Sequence, residues 1–329
     1  MSKTHDSNSQ HANPPHGQVA SIPLIIVVGP TASGKSGVAV TLAQQLNGEV
    51  LSADSVQVYR SFNIGTGKIT PEEMQGIPHH LLDLKEPDEP YDAACFQRDA
   101  DQVIQDIHQR NRCVIVAGGT GLYIRALLHG LFDLPSDPEV RKALQQQTEE
   151  QGSIRMHQQL QQVDPKAASW ISPNDKVRIV RALEVYQLSG RTYTDMVAEH
   201  GHREQRYPSK LIGIMPERPH LYATIEQRIT AMLEEGWSTE VEALREMGYT
   251  ASLKPMQAIG YRELNQMLDG SLCPTETEQR IRKSTKTYAK RQLTWFRKEN
   301  VEWYPSPHEL LEDRELFASL QDFVERTSS

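Results

Sequence analysis

The stretch GPTASGKS at residues 29–36 decides the fold of this chain. It fits the pattern GxxxxGK[ST], and its members are Gly29, Pro30, Thr31, Ala32, Ser33, Gly34, Lys35 and Ser36. The apolar run LIIVV at 24–28 precedes it, and an apolar residue recurs every fourth position from Val38 to Leu46 behind it. A strand, a glycine-rich turn and a helix in this order form a P-loop, whose backbone N–H groups and helix N-terminus bind phosphate. The sequence therefore predicts a diphosphate site, in which Lys35 supplies a positive charge and the Ser36 hydroxyl ligates Mg²⁺ held by the phosphates.

Strands alternate with helices along the rest of the chain. Strands are predicted at 49–53, 113–117, 210–215 and 301–304, and helices at 96–107, 122–128, 219–235, 239–247, 257–268 and 275–298, with one more at the end. Residues 130–205 are rich in Gln and charge and have no strand-like run. The predicted fold class is α/β, a P-loop NTPase-like core with a parallel sheet flanked by helices (21–129 and 206–329), plus a helical insertion domain at 130–205. Residues 1–20 are predicted to be a disordered tail.

The composition excludes several classes of protein. No apolar run approaches the length that a membrane-spanning helix needs, and no signal peptide is recognisable. The three cysteines are far apart in sequence, which excludes a disulfide framework and favours reduced thiols in the cytoplasm. A net charge of -8 argues against a generally basic nucleic-acid coat protein, although binding depends on where the charges lie. We expect a monomer without a membrane partner.

Asp54 is the one carboxylate well placed at the end of a predicted strand. The strand at 113–117 ends instead in GGTG at 118–121, without an acidic residue. Because the carboxyl ends of parallel strands line the ligand crevice of an open α/β sheet, Asp54 should face the phosphate site. There it could act as a Mg²⁺ ligand or as a general base. The alternative is that Asp54 only caps a following helix.

The segment from Arg280 to Lys298 contains eight Lys or Arg residues and no Asp or Glu. Arg282, Lys286 and Lys290 form a stripe at helical spacing. Such a stripe in an acidic protein favours a polyanion larger than the P-loop can hold, such as a nucleic acid. The alternative is a solvated helix face, which charge runs usually form. Three further arginines favour nucleic acid, namely Arg178 and Arg181 in the insertion and Arg262 after Gly260-Tyr261.

Seven motifs occur together in one order. They are GPTASGKS (29–36), DSVQVY (54–59), IGTGK (64–68), PHHLLD (78–83), GGTGLYI (118–124), NDKVRIVRALEVY (174–186) and QAIGYREL (257–264). In this order they resemble the tRNA dimethylallyltransferases, also called tRNA isopentenyltransferases, over about residues 22–300. The bacterial form is implied, since the chain lacks a Cys2His2 array. The resemblance implies transfer of a dimethylallyl group from dimethylallyl diphosphate to N6 of the adenosine 3′ of the anticodon in tRNA, with release of diphosphate.

The resemblance also implies roles for individual residues. Asp54 would be the general base, Thr120 would lie near the acceptor nucleotide, and Arg218 would reach the prenyl diphosphate. The residues implied or inferred to contact the tRNA anticodon stem-loop are Asp54, Ser55, Val56, Gln57, Thr120, Arg141, Val177, Arg178, Ile179, Val180, Arg181, Gln257, Ala258, Ile259, Gly260, Tyr261, Arg262, Arg282, Lys286 and Lys290. Mg²⁺ on Ser36 and the P-loop, Lys35 included, would neutralise the leaving diphosphate.

The chain departs from the family pattern at a few positions, and other functions stay open. Gly67 and Ile69 stand where alanine and proline are usual, and Thr224 stands where an arginine often follows Leu-Tyr. A small-molecule P-loop kinase would explain the P-loop but not the basic stripe. An isopentenyltransferase acting on free adenine nucleotides would share the core, but the helical insertion argues against it. A non-catalytic tRNA-binding protein would not need both a P-loop and Asp54.

Overall fold

The computed structural model describes residues 22–132, 134–200 and 205–328. These residues form two compact units. Residues 22–128 and 205–328 make the first unit, and residues 129–132 and 134–200 make the second. The tail predicted at 1–20 lies outside the described residues.

The first unit contains one parallel sheet of six strands, β1 (Leu24–Val28), β2 (Gly48–Ser52), β3 (His79–His80), β4 (Cys113–Gly118), β5 (Ser209–Ile214) and β6 (Val301–Tyr304). Their order across the sheet is β3-β2-β4-β1-β5-β6. The central strand β1 is wholly buried because it pairs with β4 and β5 along its length. Val28, the last residue of β1, pairs with Gly118 of β4, and Ser52 of β2 pairs with Ala117. The P-loop, Asp54 and the loop after β4 therefore leave the sheet at the same edge.

Helices surround the sheet, and the described part of the second unit has helices as its regular structure. The first unit has α1 (Lys35–Gln45), α2 (Pro71–Met74), α3 (Ala93–Gln109), α4 (Gly121–His129), α10 (Arg218–Glu235), α11 (Trp237–Glu246), α12 (Tyr261–Leu268), α13 (Pro274–Phe296), α14 (Pro307–Glu312) and α15 (Arg314–Ser328). The second unit has α5 (Pro138–Gln151), α6 (Ser153–Val163), α7 (Pro165–Trp170), α8 (Lys176–Ser189) and α9 (Tyr193–His200). The predicted fold class, a parallel sheet flanked by helices with a helical insertion, is confirmed. In the described residues no helix is long and apolar enough to cross a membrane.

One predicted helix begins later than the sequence indicated. The segment predicted as a helix from residue 257 starts with a 3-10 helix at Pro255–Gln257, and α12 begins only at Tyr261. Ala258 between them has an extended backbone, which breaks the helical hydrogen bonding. Residues 258–260 are therefore loop, and this loop lies at the cavity described below.

Each unit has its own hydrophobic core. One side of the sheet packs through Ile25, Val27 and Ile115 against α1 and the C-terminal helices α14 and α15. The core of the second unit is built around Met156, Leu160 and Ile179, which contact one another from α6 and α8. Burial of these side chains holds each unit together, at roughly 25 cal/mol per Å² of apolar surface.

Candidate active site

A cavity of about 390 Å³ opens at the carboxyl edge of the sheet in the first unit. The P-loop forms one side through Thr31, Lys35 and Ser36, and Asp54 and its neighbours form another. The remaining wall residues come from the 65–66 loop, α10, the 257–262 segment and α13. They include Gly65, Thr66, Ile225, Arg228, Ile229, Met232, Trp237, Gln257, Ala258, Ile259, Tyr261, Arg262, Thr285, Tyr288, Arg291 and Gln292. The cavity therefore joins the predicted phosphate site to the predicted acceptor side.

The P-loop has the backbone that phosphate binding requires. Gly34 has φ 85°, a left-handed conformation that strongly favours glycine, and it leads directly into α1. The Lys35 ammonium donates a hydrogen bond to the carbonyl of Pro30 at 3.2 Å. Burial and the positive charge of Arg228 lower the pKa of Lys35, the Asp54 carboxylate partly offsets them, and the resulting pKa is about 8. Two cations thus face the space where the sequence places a diphosphate.

Asp54 both shapes its own loop and faces the cavity. Its Oδ1 accepts hydrogen bonds from the backbone N–H groups of Val56 at 2.9 Å and Gln57 at 3.2 Å. The capping role considered for Asp54 is thus present in the structure, although a loop of turns follows it instead of a helix. Because Asp54 is also one of the cavity residues, capping does not remove its carboxylate from the site.

Arg228 is a cavity residue that the sequence reasoning missed. It lies on α10, on the face that also presents Ile225, Ile229 and Met232 to the cavity. Its guanidinium donates to the carbonyl of Gly67 at 3.4 Å, and no ion pair joins it to any described carboxylate. Burial lowers its pKa, and the charge of Asp54 counteracts this. An arginine on the apolar face of an amphipathic helix was the signal that could have identified it.

The structure does not bring Arg218, the arginine that the resemblance assigned to the donor, into this cavity. Arg218 begins α10 and stacks on the ring of Tyr222, with 5.0 Å between the guanidinium carbon and the ring centroid. It lines a separate groove of about 480 Å³ with Lys290 and Arg297. Its predicted role in donor binding stays a prediction, and Arg228 has the placement that this role needs.

The loop at 63–67 forms a wall of the cavity and is fixed by α11. The Glu240 carboxylate accepts hydrogen bonds from three successive N–H groups, those of Asn63 (2.9 Å), Ile64 (2.7 Å) and Gly65 (3.2 Å). The hydroxyl of Tyr261 donates to the same carboxylate at 2.5 Å. Three aligned N–H groups form an anion-binding nest, here filled by the protein's own side chain. The loop therefore holds the Gly67 carbonyl in place for Arg228.

The predicted acceptor-side residues are divided between the cavity and its surroundings. Asp54, Ser55, Val56 and the segment Gln257, Ala258, Ile259, Tyr261 and Arg262 line the cavity. Gln57 turns to the carbonyls of Thr66 and Gly67, to which its amide donates at 3.2 and 3.3 Å. The Thr120 hydroxyl is buried close to Tyr288, whose pKa is raised by burial and by the charge of Asp54. Tyr288 of α13 also lines the cavity.

The basic stripe on α13 is not uniform. Glu226 of α10 forms ion pairs with both Arg282 and Lys286, and Arg282 also pairs with Glu278 one turn away. The hydrogen bond from Lys286 and that from Arg282 lower the pKa of Glu226. Lys290 lies in the groove beside Arg218 and Arg297, and no ion pair is recorded for it among the described residues. Of the three stripe residues, only Lys290 is thus left without a carboxylate partner.

In the second unit a buried carboxylate organises the predicted RNA-contact arginines. Glu184 of α8 is fully buried, at 0% exposure, and accepts hydrogen bonds from Arg141 and Arg181. Burial raises the pKa of Glu184, but the hydrogen bonds from Arg181 and Arg141 outweigh it and hold the pKa below its ordinary value. Arg181 also donates to the carbonyls of Leu134 and Pro135. These two arginines therefore have structural partners as well as exposed surface.

Two predicted contact side chains of α8 are instead packing residues. Ile179 and Val180 are buried in the core of the second unit, so their side chains have no surface to offer to RNA. Val177 is 80% exposed, and Arg178, which pairs with Asp175, is exposed beside it. Within 177–180, the exposed side chains are therefore those of Val177 and Arg178, in the first turn of α8.

The oxygen ligands at this site fit a magnesium ion that is held mainly by the phosphates of a bound substrate. The Ser36 hydroxyl and the Asp54 carboxylate, both hard oxygen ligands, face the same cavity. The described residues contain no group of three or more His, Cys, Asp or Glu that could hold a metal ion. Mg²⁺ commonly binds in this way, through one or two protein oxygens and substrate phosphates.

Comparisons with known proteins agree with these motifs. The family model described as IPP transferase matches residues 57–299, more than half of the chain. The chain is 46% identical over 288 residues to tRNA dimethylallyltransferase 2 of Geotalea uraniireducens, covering 87% of this chain and 93% of the relative. It is 50% identical over 274 residues to tRNA dimethylallyltransferase 1 of Pelobacter propionicus, covering 83% and 89%.

Two solved structures are similar over most of the chain. The tRNA isopentenylpyrophosphate transferase of Bacillus halodurans matches with a TM-score of 0.67 and 39% identity, covering 93% of this chain and 98% of that one. A eukaryotic dimethylallyltransferase, described as acting on tRNA, matches with a TM-score of 0.78 and 26% identity, covering 93% and 80%.

Proposed function

The chain belongs to the IPP transferase family, and from this premise we propose that it transfers a dimethylallyl group from dimethylallyl diphosphate to N6 of the adenosine 3′ of the anticodon in tRNA. One observation carries the proposal. A single cavity contains a P-loop with two nearby cations, and across from them a carboxylate suited to act as a base. We further propose that the enzyme is a monomer in the cytoplasm and that its substrates are tRNA and the prenyl diphosphate.

In the proposed reaction, each part is carried by a named residue. Adenine N6 attacks C1 of the dimethylallyl group, the C1–O bond breaks, and its electron pair leaves with the diphosphate. The N6 proton goes to the Asp54 carboxylate, which is needed because the N6 lone pair is delocalised into the ring. Lys35, Arg228 and the P-loop N–H groups stabilise the negative charge that develops on the leaving oxygens. The target base must leave the anticodon loop stack to reach such a cavity.

Magnesium has a defined place in this proposal. Ser36 would hold Mg²⁺ against the diphosphate, and the ion supplies further charge neutralisation to the leaving group when bound. The positions of Lys35 and Arg228 mean that the protein itself contributes two positive charges at the same place. We expect the ion to bind more tightly in the presence of the donor than in its absence.

The test is prenyl transfer by the purified chain without ATP. The chain is incubated with unmodified tRNA, dimethylallyl diphosphate and Mg²⁺, and the nucleosides are analysed by mass spectrometry. We expect a prenylated adenosine in tRNA digests. Strict dependence on ATP hydrolysis would support the kinase alternative. Prenylation of free AMP but not of tRNA would support the alternative that acts on free nucleotides.

Donor binding is expected to weaken as the pH rises above 8. The pKa of Lys35 in the free protein is about 8, and a bound diphosphate favours the charged amine, so binding takes up a proton above this pH. The Kd for dimethylallyl diphosphate should be about tenfold larger at pH 9 than at pH 7. Calorimetric titration at several pH values, without tRNA, measures it. Lys35→Met should bind more weakly at every pH and lose the dependence; a Kd of the wild type that stays constant to pH 9 would contradict the assignment.

The three stripe residues are expected to contribute unequally to tRNA binding. Lys290→Ala should weaken binding and reduce the slope of log K against log salt by about one, because one phosphate contact is lost. Arg282→Ala should change the slope much less, since Glu226 and Glu278 already neutralise the guanidinium. Fluorescence anisotropy at a series of KCl concentrations measures both, and Thr287→Ala, an exposed neutral site on the same helix, is the control. Equal slope changes for Lys290 and Arg282 would contradict this distinction.

A further inference from the structure

The side chain of Gln292 connects two neighbouring loops, the P-loop after β1 and the loop after β4. Gln292 is on α13 and is 5% exposed. Its Oε1 accepts a hydrogen bond from the backbone N–H of Thr31 in the P-loop at 2.8 Å. Its Nε2 donates to the backbone carbonyl of Gly119, in the loop after β4, at 3.0 Å. One carboxamide therefore spans the exits of two adjacent strands, β1 and β4.

Gly119, which accepts the hydrogen bond from Gln292, has no side chain to obstruct this contact. A Cβ atom on Gly119 would lie 2.1 Å from the Gln292 Nε2, closer than any side chain can approach. The φ of Gly119 is outside the left-handed region, so the backbone there does not itself call for glycine. A larger residue at 119 would therefore have to displace the Gln292 carboxamide from its present position. Gln292 and Gly119 are therefore in direct contact, and a change at either residue would affect the other.

We propose that Gln292 is a positioning residue that sets the distance and orientation between the diphosphate cradle and the acceptor-side loop. The proposal rests on the proposed function, since it concerns how the two substrates meet. Thr31 belongs to the loop that would hold the leaving diphosphate, and Gly119 immediately precedes Thr120, the residue that the resemblance places near the acceptor nucleotide. Fixing one loop to the other fixes the line from N6 through C1 to the leaving oxygen.

The reaction is sensitive to this alignment. A displacement requires the attacking atom about 3–3.5 Å from the carbon and in line with the leaving group, and a misplacement of about 1 Å can cost 10²-fold in rate. Each substrate could still bind to its own loop if the two loops shifted relative to one another. Loss of the bridge should therefore appear in kcat and much less in either KM.

Only a group with both a donor and an acceptor at the right length can replace the carboxamide. Methionine is similar in length and fills the space. However, it accepts only a weak hydrogen bond from the Thr31 N–H and has no donor for the Gly119 carbonyl. An ionised glutamate can accept from Thr31, but it presents a second acceptor to the Gly119 carbonyl. A protonated glutamate has one O–H donor and one acceptor oxygen, so it can restore both hydrogen bonds. Its pKa should be raised by burial and by the carbonyl facing it.

The experiment compares Gln292→Met, Gln292→Glu and the wild type in steady-state prenylation of tRNA. The matched control is Thr277→Val, which removes a buried hydroxyl from the same helix that bonds only to its own turn, through the Cys273 carbonyl. We expect kcat of Gln292→Met to fall about 10²-fold, with KM for both substrates changed less than about threefold. Thr277→Val should keep the wild-type kcat. Thermal unfolding followed by circular dichroism checks that all four proteins are folded.

The glutamate variant gives a readout that a general loss of packing would not produce. The ratio of kcat for Gln292→Glu to kcat of the wild type should rise as the pH is lowered, because the protonated side chain rebuilds the bridge. Using the ratio removes any pH dependence that the two proteins share. The same ratio for Gln292→Met should not change with pH.

The outcomes separate the two proposals. Wild-type kcat in Gln292→Met, or a rise confined to KM for the donor, would overturn the positioning role while leaving the proposed function intact. A pH-independent ratio for Gln292→Glu, with kcat reduced as in Gln292→Met, would show a packing role and also overturn it. A wild-type chain that prenylates neither tRNA nor its anticodon stem-loop would overturn the proposed function, and the role of Gln292 would fall with it. If Gln292→Met does not fold, the pH dependence of the kcat ratio for Gln292→Glu alone tests the positioning role.

Discussion

Replacing Asp54 by asparagine is expected to lower the turnover rate about 10²- to 10⁴-fold while leaving tRNA binding nearly unchanged. The structure makes asparagine an informative substitution. Oδ1 of Asp54 accepts the N–H groups of Val56 and Gln57, and the amide oxygen of asparagine can accept both in the same way. The loop geometry is thus kept, and the ability to take the N6 proton is lost.

Single-turnover prenylation with saturating donor measures this loss directly, and anisotropy measures tRNA affinity. Asp54→Ala is the companion variant, since it removes both the base and the hydrogen bonds to the loop. We expect the alanine protein to be as inactive as the asparagine protein and less stable to heat, by about 0.5–2 kcal/mol for a lost cap. If Asp54→Asn turned over at the wild-type rate, Asp54 would serve only the loop, and another group would have to accept the proton.

The inner strands β1, β2 and β4 could be predicted because they are short and almost wholly buried. The run LIIVV at 24–28 is β1 with the predicted bounds, and the strand predicted at 301–304 is β6. By contrast, β3 consists of two residues, His79 and His80, which no periodicity can reveal. It is held partly by side chains, since His80 and Arg110 both bind the buried carboxylate of Glu49. Such long-range pairs determine structure without leaving a local pattern.

The candidate site likewise contains some residues that could be predicted from the sequence and others that could not. The P-loop and Asp54 could be predicted because each follows a strand directly, and strand order brings them together. Arg228 and Gln292 could not be assigned roles, since their partners are remote in sequence. Arg228 bonds to Gly67 across 161 positions, and Gln292 bonds to Thr31 across 261. For both residues the available signal was a polar side chain on the inward face of a helix, which shows burial but not the partner.

The resemblance assigns the donor contact to Arg218, whereas the structure places a different arginine of the same helix in the P-loop cavity. Arg218 and Arg228 belong to the same helix, α10, and their separation corresponds to about 15 Å at 1.5 Å per residue. The first starts the helix and faces a groove with Lys290, whereas the second faces the P-loop cavity. A local motif points to an arginine near the start of this helix, and the fold shows that Arg228 is the one that lines the P-loop cavity.

Arg228→Met is expected to weaken binding of dimethylallyl diphosphate by at least about 30-fold, since truncating a buried charge that pairs with a ligand costs 2–5 kcal/mol. Stability should change in the opposite direction. The guanidinium is buried, has no described carboxylate within ion-pair distance and lowers the pKa of Lys35, so the empty protein holds two repelling cations. Methionine removes that repulsion at similar volume, and the midpoint of thermal unfolding without donor should rise. The pKa of Lys35 should rise as well, which would move the pH at which donor binding weakens to a value above 8.

Arg218→Met is the matched control for this prediction, because it makes the same chemical change on the same helix outside the cavity. It should leave donor affinity and the pH dependence of donor binding close to those of the wild type. Calorimetric titration with dimethylallyl diphosphate at pH 7 and pH 9, together with thermal unfolding in the absence of ligand, covers both variants. A large loss of donor affinity in Arg218→Met with none in Arg228→Met would reverse the assignment and return the donor contact to the start of α10. A loss of both affinity and stability in Arg228→Met would instead mean that the guanidinium supports the 63–67 loop through Gly67, and that the anion lies elsewhere in the cavity.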